Sequence, residues 1–214
     1  MDYQAYGKYI LDETLALLAI DSPSGMTAKA AEHVMARFEA LGYQPERTRK
    51  DGVVVCLGGK NMDDAILLEA HMDTLGGMVA QIKQNGRLRI TAIGGLNANN
   101  VETENCRVIT REGGEYEGVA QLCNASIHVN GEYNDIKRTF DTIEVLLDED
   151  VKSAEDVKKL GISAGDYISF DPRTVVTESG YIKSRFLDDK LSVGILLGFA
   201  KYLKDNNIVP SRRV

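Results

Sequence analysis

The sequence is short of cysteine, of clustered positive charge and of long apolar runs, and each shortage removes a class of protein. Its three cysteines, Cys56, Cys106 and Cys123, lie far apart with no Cys-x-x-Cys pair. Neither a zinc knuckle nor a disulfide framework is expected, and the thiols read as reduced. Cys56, inside the run Val53 to Leu57, reads as a small core residue. Lys and Arg number 25 against 32 Asp and Glu, for a net charge of −7. With no basic run beyond Arg47-Thr48-Arg49-Lys50 or Lys158-Lys159, nucleic acid is not the expected partner, because phosphate binding needs a clustered basic surface. No window approaches the ~18 consecutive apolar residues of a membrane span. The opening MDYQAYGKYILDE lacks the basic-then-apolar order of a secretion leader. The expectation is a cytoplasmic protein with no membrane segment.

What is present can fold. With 214 residues, 43% of them hydrophobic and 27% charged, the chain has room for one large domain or two modest ones. Ile10, Leu11, Thr14, Leu15, Leu17 and Leu18 fall on one face of a helix over 6–20, and Ala30, Val34, Met35, Phe38 and Leu41 do the same over 27–41. The turn cluster Asp21-Ser22-Pro23-Ser24-Gly25 separates them, and Gly42 stops the second. The continuous apolar runs 53–57 and 65–70 predict strands covered on both faces. Helix, helix, buried strand, buried strand begins an α/β layer structure.

After Gly77 the texture changes. Two alternating segments flank Asn85-Gly86, a strong hairpin signal. Short strands are predicted at 107–110, 116–122, 126–129 and 142–147, and read together as a small inserted β barrel or sandwich. Ser153 to Asp156 resembles a capping box, opening a short helix that Gly161 ends. Strands follow at 167–170, 174–177 and 181–186, and an apolar helix over 189–203. The expected division is a catalytic α/β domain over 1–76 and 165–214, interrupted by a β domain over 77–164.

Chemistry concentrates at EAHMDTLGG. His71 and Asp73 stand just past the end of a predicted strand, where open α/β sheets gather ligands. Imidazole with carboxylate suits zinc, cobalt or manganese, and Asp73, two residues on, can orient His71 instead of binding metal itself. A histidine at a strand end tied to Asp73 for structural reasons is the plainer reading of the same pair. Asp188-Asp189 at a second strand-to-helix junction reads either as a helix N-cap or as an exposed acid able to bridge metals. Two acidic strand ends brought together across an insert make one coherent site. His33, on the second helix, reads as exposed, and His128, in the insert, as structural.

The motifs IDSPSG, LEAHMDTLGGMV, VKSAEDVKKLGISAGDYISFDP and SRFLDDKLSVGILL, in that order over nearly the whole chain, resemble the tetrahedral-type metallo-aminopeptidases, the family of the glutamyl and deblocking aminopeptidases. The resemblance implies a phosphorylase-like three-layer α/β catalytic domain with an inserted PDZ-like or barrel β domain. It implies two divalent ions per complete site, zinc or cobalt, with His71 binding one, Asp188 bridging both, and Asp73 orienting His71 as the catalytic aspartate. Asp189 would support or cap. It further implies peptides with free amino termini as substrates, hydrolysis by a metal-activated water with a glutamate base, and homo-oligomers building a hollow assembly.

The family's later Glu-Glu pair, further acidic ligand and distal histidine have no counterpart in these 214 residues. The expectation is therefore an N-terminal portion, incomplete at its C-terminus, that alone binds metal weakly and hydrolyses nothing. Two other readings stay open on sequence. One is a non-catalytic truncated paralogue acting as an assembly or scaffold subunit. The other is a di-zinc carboxypeptidase or deacylase, disfavoured because its bridging aspartate would follow His-x-Asp more closely.

Overall fold

The computed structural model describes residues 3–214. They fall into two units, the first running up to Asp73 and resuming over Pro172–Val214, the second spanning Thr74–Asp171. The first unit opens with α1 (Tyr3–Leu18), α2 (Ala28–Ala40) and the short strands β1 (Glu46–Arg47), β2 (Val53–Val54) and β3 (Asn61–Ala65). The second holds β4 (Gly76–Ile82), β5 (Leu88–Ile93), β6 (Asn105–Ile109), β7 (Glu115–Leu122), β8 (Ile143–Leu147), α3 (Ala154–Lys159) and β9 (Tyr167–Phe170). The first unit then continues with β10 (Val175–Val176), β11 (Ile182–Lys183), α4 (Leu187–Asp205) and β12 (Arg212–Arg213).

In the first unit the amphipathic pattern decides the packing. Leu17, Val34, Phe38, Tyr43, Val193 and Leu197 share one buried cluster, and the Tyr43 hydroxyl donates to the Ala200 carbonyl at 3.0 Å. α4 lies unusually close to α1 because Gly194 and Gly198 face Thr14 and Ile10, where a Cβ on either glycine would collide with those side chains. The sheet component is thin. β1–β2, β10–β11 and β3–β12 are separate two-stranded pieces, so the expected three-layer sheet is represented among the described residues only by fragments.

The run 65–70, expected as a strand covered on both faces, is a correction. Its strand ends at Ala65, and Ile66, Leu67 and Leu68 are 40%, 78% and 45% exposed. The physical reason is the neighbourhood. β3 pairs with β12 in parallel, and the Ile66 amide still donates to the Arg213 carbonyl at 2.8 Å. Among the described residues no further strand or helix covers the apolar side chains beyond that point.

The second unit is a closed barrel in the order β4-β5-β8-β7-β6-β9, all antiparallel. Alternation sends Leu88 and Ile90, Val108, Ala120 and Leu122, Val145, Ile168 and Phe170 inward, as period-2 strands require. The β4–β5 turn uses Asn85-Gly86 as its sequence suggests, with Gly86 at φ 80° and the Asn85 side chain accepting from the Arg87 amide. The Ser153 hydroxyl caps α3 by accepting from the Asp156 amide at 3.2 Å.

Two expectations change here. β9 belongs to the barrel, so the unit boundary falls at Asp171/Pro172 rather than at 164/165. Residues 126–129, expected as a strand, form a turn, with the Asn130 amide bonded back to the Ser126 carbonyl at 2.9 Å.

Cys106 points into the barrel with no exposure, whereas Cys56 and Cys123 are exposed; the reading of Cys56 as a core residue is thus corrected, since β2 ends before it. Burial pushes the Cys106 thiol up to about 12. An acid whose folded pKa is raised loses stability as pH climbs, because the unfolded chain releases the proton first. Relative to Cys106→Ala, the protein is expected to lose ~1.5–2 kcal/mol between pH 8 and pH 10. Urea unfolding at the two pH values checks it; an unchanged difference contradicts the burial argument.

Candidate functional site

His71, Asp73 and Asp188 come together within the first unit, although the two segments that carry them are 117 residues apart at His71 and Asp188. The His71 Nε2 lies 3.1 Å from Asp188 Oδ1. On the other side of the ring, Nδ1 is 3.1 Å from the Asp73 carbonyl oxygen and 3.2 Å from Asp73 Oδ1. The imidazole is thus held between two acceptors. Its pKa is raised: partial burial works against the charged ring, but the Asp73 carbonyl and the Asp73 and Asp188 carboxylates outweigh it.

Asp188 is held off the helix it introduces. Phe186, the N-cap residue, is in the left-handed region at φ 65° and offers no side-chain cap, and Asp188 (φ −83°, ψ 102°) and Asp189 are non-helical. No side chain caps the helix at Phe186, and both acids stand before its regular turns. The Asp188 side chain is 95% exposed, pointing its free oxygen into open space, whereas Asp189 is half-buried.

A cleft of about 590 Å³ opens beside His71 and Asp73, walled by Gly25 and Thr27 and by the hairpin residues Arg49 to Val53. The turn that follows α1 stands behind the His71 segment. Ser22, fully buried, donates to the Met72 carbonyl at 2.8 Å, and the Ser24 hydroxyl donates to Asp73 Oδ2. Lys190, 1% exposed, donates to the Leu17 and Ile20 carbonyls at 3.0 and 2.7 Å. Burial pulls its ammonium down to about 8, with Asp21 working the other way. Sequence reasoning missed these three residues. The signals were a serine pair in IDSPSG and one lysine at the head of an apolar helix.

The donor chemistry fits a divalent ion in kind. An imidazole nitrogen and a carboxylate oxygen are borderline donors suited to zinc or cobalt. Two donors on one tetrahedral ion stand about 3.3 Å apart, close to the observed 3.1 Å. The second nitrogen of a ligating histidine is expected to bond a carbonyl or carboxylate, as Nδ1 does with Asp73. In number the set falls short. Among the described residues no group of three or more His, Cys, Asp or Glu side chains is arranged to hold a metal.

The other histidines lie elsewhere. His33, expected to be exposed, has a side chain only 24% exposed, with Nε2 3.6 Å from the buried Glu13 carboxylate; α1 and α2 meet there, and Arg37 also bonds Glu13 at 2.7 Å. His128 is exposed on the 126–129 turn. Neither approaches as a ligand the pair formed by His71 and Asp188.

The sequence pattern of the M42 glutamyl aminopeptidase family matches residues 51–211. The Bacillus subtilis protein YhfE is 38% identical over 192 residues, covering 90% of this chain and 56% of that one. The glutamyl aminopeptidase of Lactococcus lactis is 28% identical over 203 residues, covering 93% and 56%. Among solved structures, an aminopeptidase from Desulfurococcus kamchatkensis superposes with a TM-score of 0.80 at 26% identity, covering 92% of this chain and 52% of that one. The Pyrococcus horikoshii TET1 peptidase, described as assembling into a tetrahedron or a large octahedral shell, gives 0.79 at 22% identity, covering 95% and 59%. The chain spans about half the length of these curated relatives.

Proposed function

Because the chain belongs to the M42 glutamyl aminopeptidase family, we propose that it is the part of a metal-dependent aminopeptidase that supplies His71 and Asp188 to a di-metal centre, with Asp73 as the residue that sets His71. The observation that carries the reading is the meeting of His71 Nε2 and Asp188 Oδ1 at 3.1 Å, with His71 and Asp73 lining an open cleft. Zinc or cobalt bound there would supply Lewis acidity and a water activated at neutral pH.

The chain's own residues do the rest of the work assigned to them here. Asp73, through its carbonyl and carboxylate, accepts a hydrogen bond from Nδ1–H, which would leave Nε2 as the donor nitrogen. Asp188, free of the helix, presents one oxygen toward His71 and leaves the rest of its carboxylate exposed, and would be the residue shared by two ions. The cleft beside them would admit the amino-terminal end of a peptide.

The remaining ligands and a glutamate base belong, on this reading, to residues outside these 214. The exposed apolar run Ile66 to Leu68 supports it, because such a run is built for a strand with neighbours on both sides. The first unit would then be the catalytic domain and the barrel a PDZ-like domain for dimerisation and substrate gating. Self-assembly into a homo-oligomer is carried over from the TET-type relatives. Among the described residues no helix is long and apolar enough to cross a membrane, and a cytoplasmic place is proposed.

The test is a substrate pair. A polypeptide with the full ligand set is expected to release amino acids from peptides with a free amino terminus and to leave their N-acetyl counterparts intact. The 214 residues alone are expected to cleave neither, by chromatography of the released amino acids. Turnover by a homogeneous 214-residue sample, or equal cleavage of blocked peptides, would overturn the reading.

A further inference from the structure

The two segments meet at His71 and Asp188 in an exposed contact, and Ala70 and Met72 pack against the cluster that holds Val193 and Leu197. Behind it runs a second connection that is buried. Lys190, two residues past Asp188, sends its ammonium into the end of α1, where it bonds the carbonyls of Leu17 and Ile20. Two residues on from Ile20, Ser22 bonds the Met72 carbonyl next to His71. Ser24 then bonds the Asp73 carboxylate. The geometry points to the turn after α1 as a bracket in which Lys190 and Ser22 are positioning residues, locking the Asp188 loop and the His71 loop to one another before any ion arrives.

The chemistry favours this over a plain helix stop. The last carbonyls of a helix need partners, but water or a glycine turn supplies them at little cost. A buried ammonium carries a desolvation penalty that an apolar side chain of the same length avoids. What lysine adds is reach: one atom bonding two carbonyls of a turn that itself grips the His71 segment. A pair of metal donors held in advance gains affinity, and residues behind ligands typically contribute 10–100-fold.

The experiment uses Lys190→Met, Ser22→Ala and the double variant, read by amide hydrogen exchange in metal-free protein and by Co²⁺ titration. Lys190→Met is expected to raise exchange at 17–22 and also, at least tenfold, at 70–73, while barrel amides keep their protection. Ser22→Ala is expected to loosen 70–73 as well. Both variants are expected to weaken Co²⁺ binding 10–100-fold, and the double variant to add less than the product of the two, as residues of one connected unit do. Loosening confined to 17–22, with 70–73 within twofold of wild type, would reduce Lys190 to a helix stop and overturn the proposal. If Lys190→Met does not fold, Ser22→Ala decides by the same criterion. Only the Co²⁺ readout rests on the metal reading above. A wild-type chain that binds no Co²⁺ counts against that reading, and the exchange pattern still decides this one.

Discussion

Replacing His71 by alanine is expected to lower divalent-metal affinity on the order of 100-fold or more, measured by calorimetric titration with Co²⁺ or Zn²⁺. Residues that merely support a ligand already cost 10–100-fold when removed, so loss of the ligand itself sets a larger floor. Among the described residues the imidazole is one of two donors that meet there, and neither His33 nor His128 lies beside them to replace it. Asp188→Ala is expected to act similarly, because it removes the other half of the pair. Asp73→Asn keeps the carbonyl acceptor to Nδ1 and is expected to cost less. The loss has a pH signature. Protonated His71 cannot bind metal, and the acceptors around it raise its pKa above the ordinary value. Wild-type affinity should therefore rise as pH is taken upward through that raised pKa, and the His71→Ala protein should lack that rise. Affinity within a few-fold of wild type in both His71→Ala and Asp188→Ala would remove the metal assignment.

Phe170→Ala in the barrel is expected to destabilise the protein by ~3–5 kcal/mol, the range for emptying a buried aromatic site. Phe170 has no exposure and sits on β9, paired with β6 opposite Cys106. β9 bonds β4 on its other side, so it closes the barrel. A closed barrel has no free edge along which strands can slide to fill the gap, which places the cost toward the upper end. Against a total stability of ~5–15 kcal/mol for a typical domain, the change is large. Hydrogen exchange of β6 and β9 amides with urea unfolding measures it. A loss below ~1 kcal/mol would mean that the strand pairing, and not Phe170, carries closure.

How far the sequence discloses all this depends on whether the signal is local. The hairpin at Asn85-Gly86 and the cap at Ser153 rest on residues that act on their own backbone, and both stand in the structure. Helices α1, α2 and α4 follow from apolar periodicity alone. The run 65–70 misleads because burial is a property of neighbours: the same Ile66 to Leu68 would be buried in a wider sheet and is exposed beside β12. Residues 126–129 alternate as a strand would, yet the chain turns there and Val129 stands 80% exposed. His71, Asp73 and Asp188 were legible because their order and residue types match a family pattern. Ser22, Ser24 and Lys190 were not, because each acts through a backbone carbonyl or another side chain, and no spacing rule marks such a contact. His33 was misplaced for a related reason: its partner, the buried Glu13, comes from another helix.

The central claim is that His71 and Asp188 bind the same divalent ion. Crystals of the protein grown with Co²⁺ and measured at the cobalt absorption edge test it most directly. An anomalous peak bonded to both His71 Nε2 and Asp188 Oδ1 is expected, with His71 Nδ1 still on Asp73. Cobalt bound elsewhere, or no peak beside His71 at a saturating concentration, would contradict it.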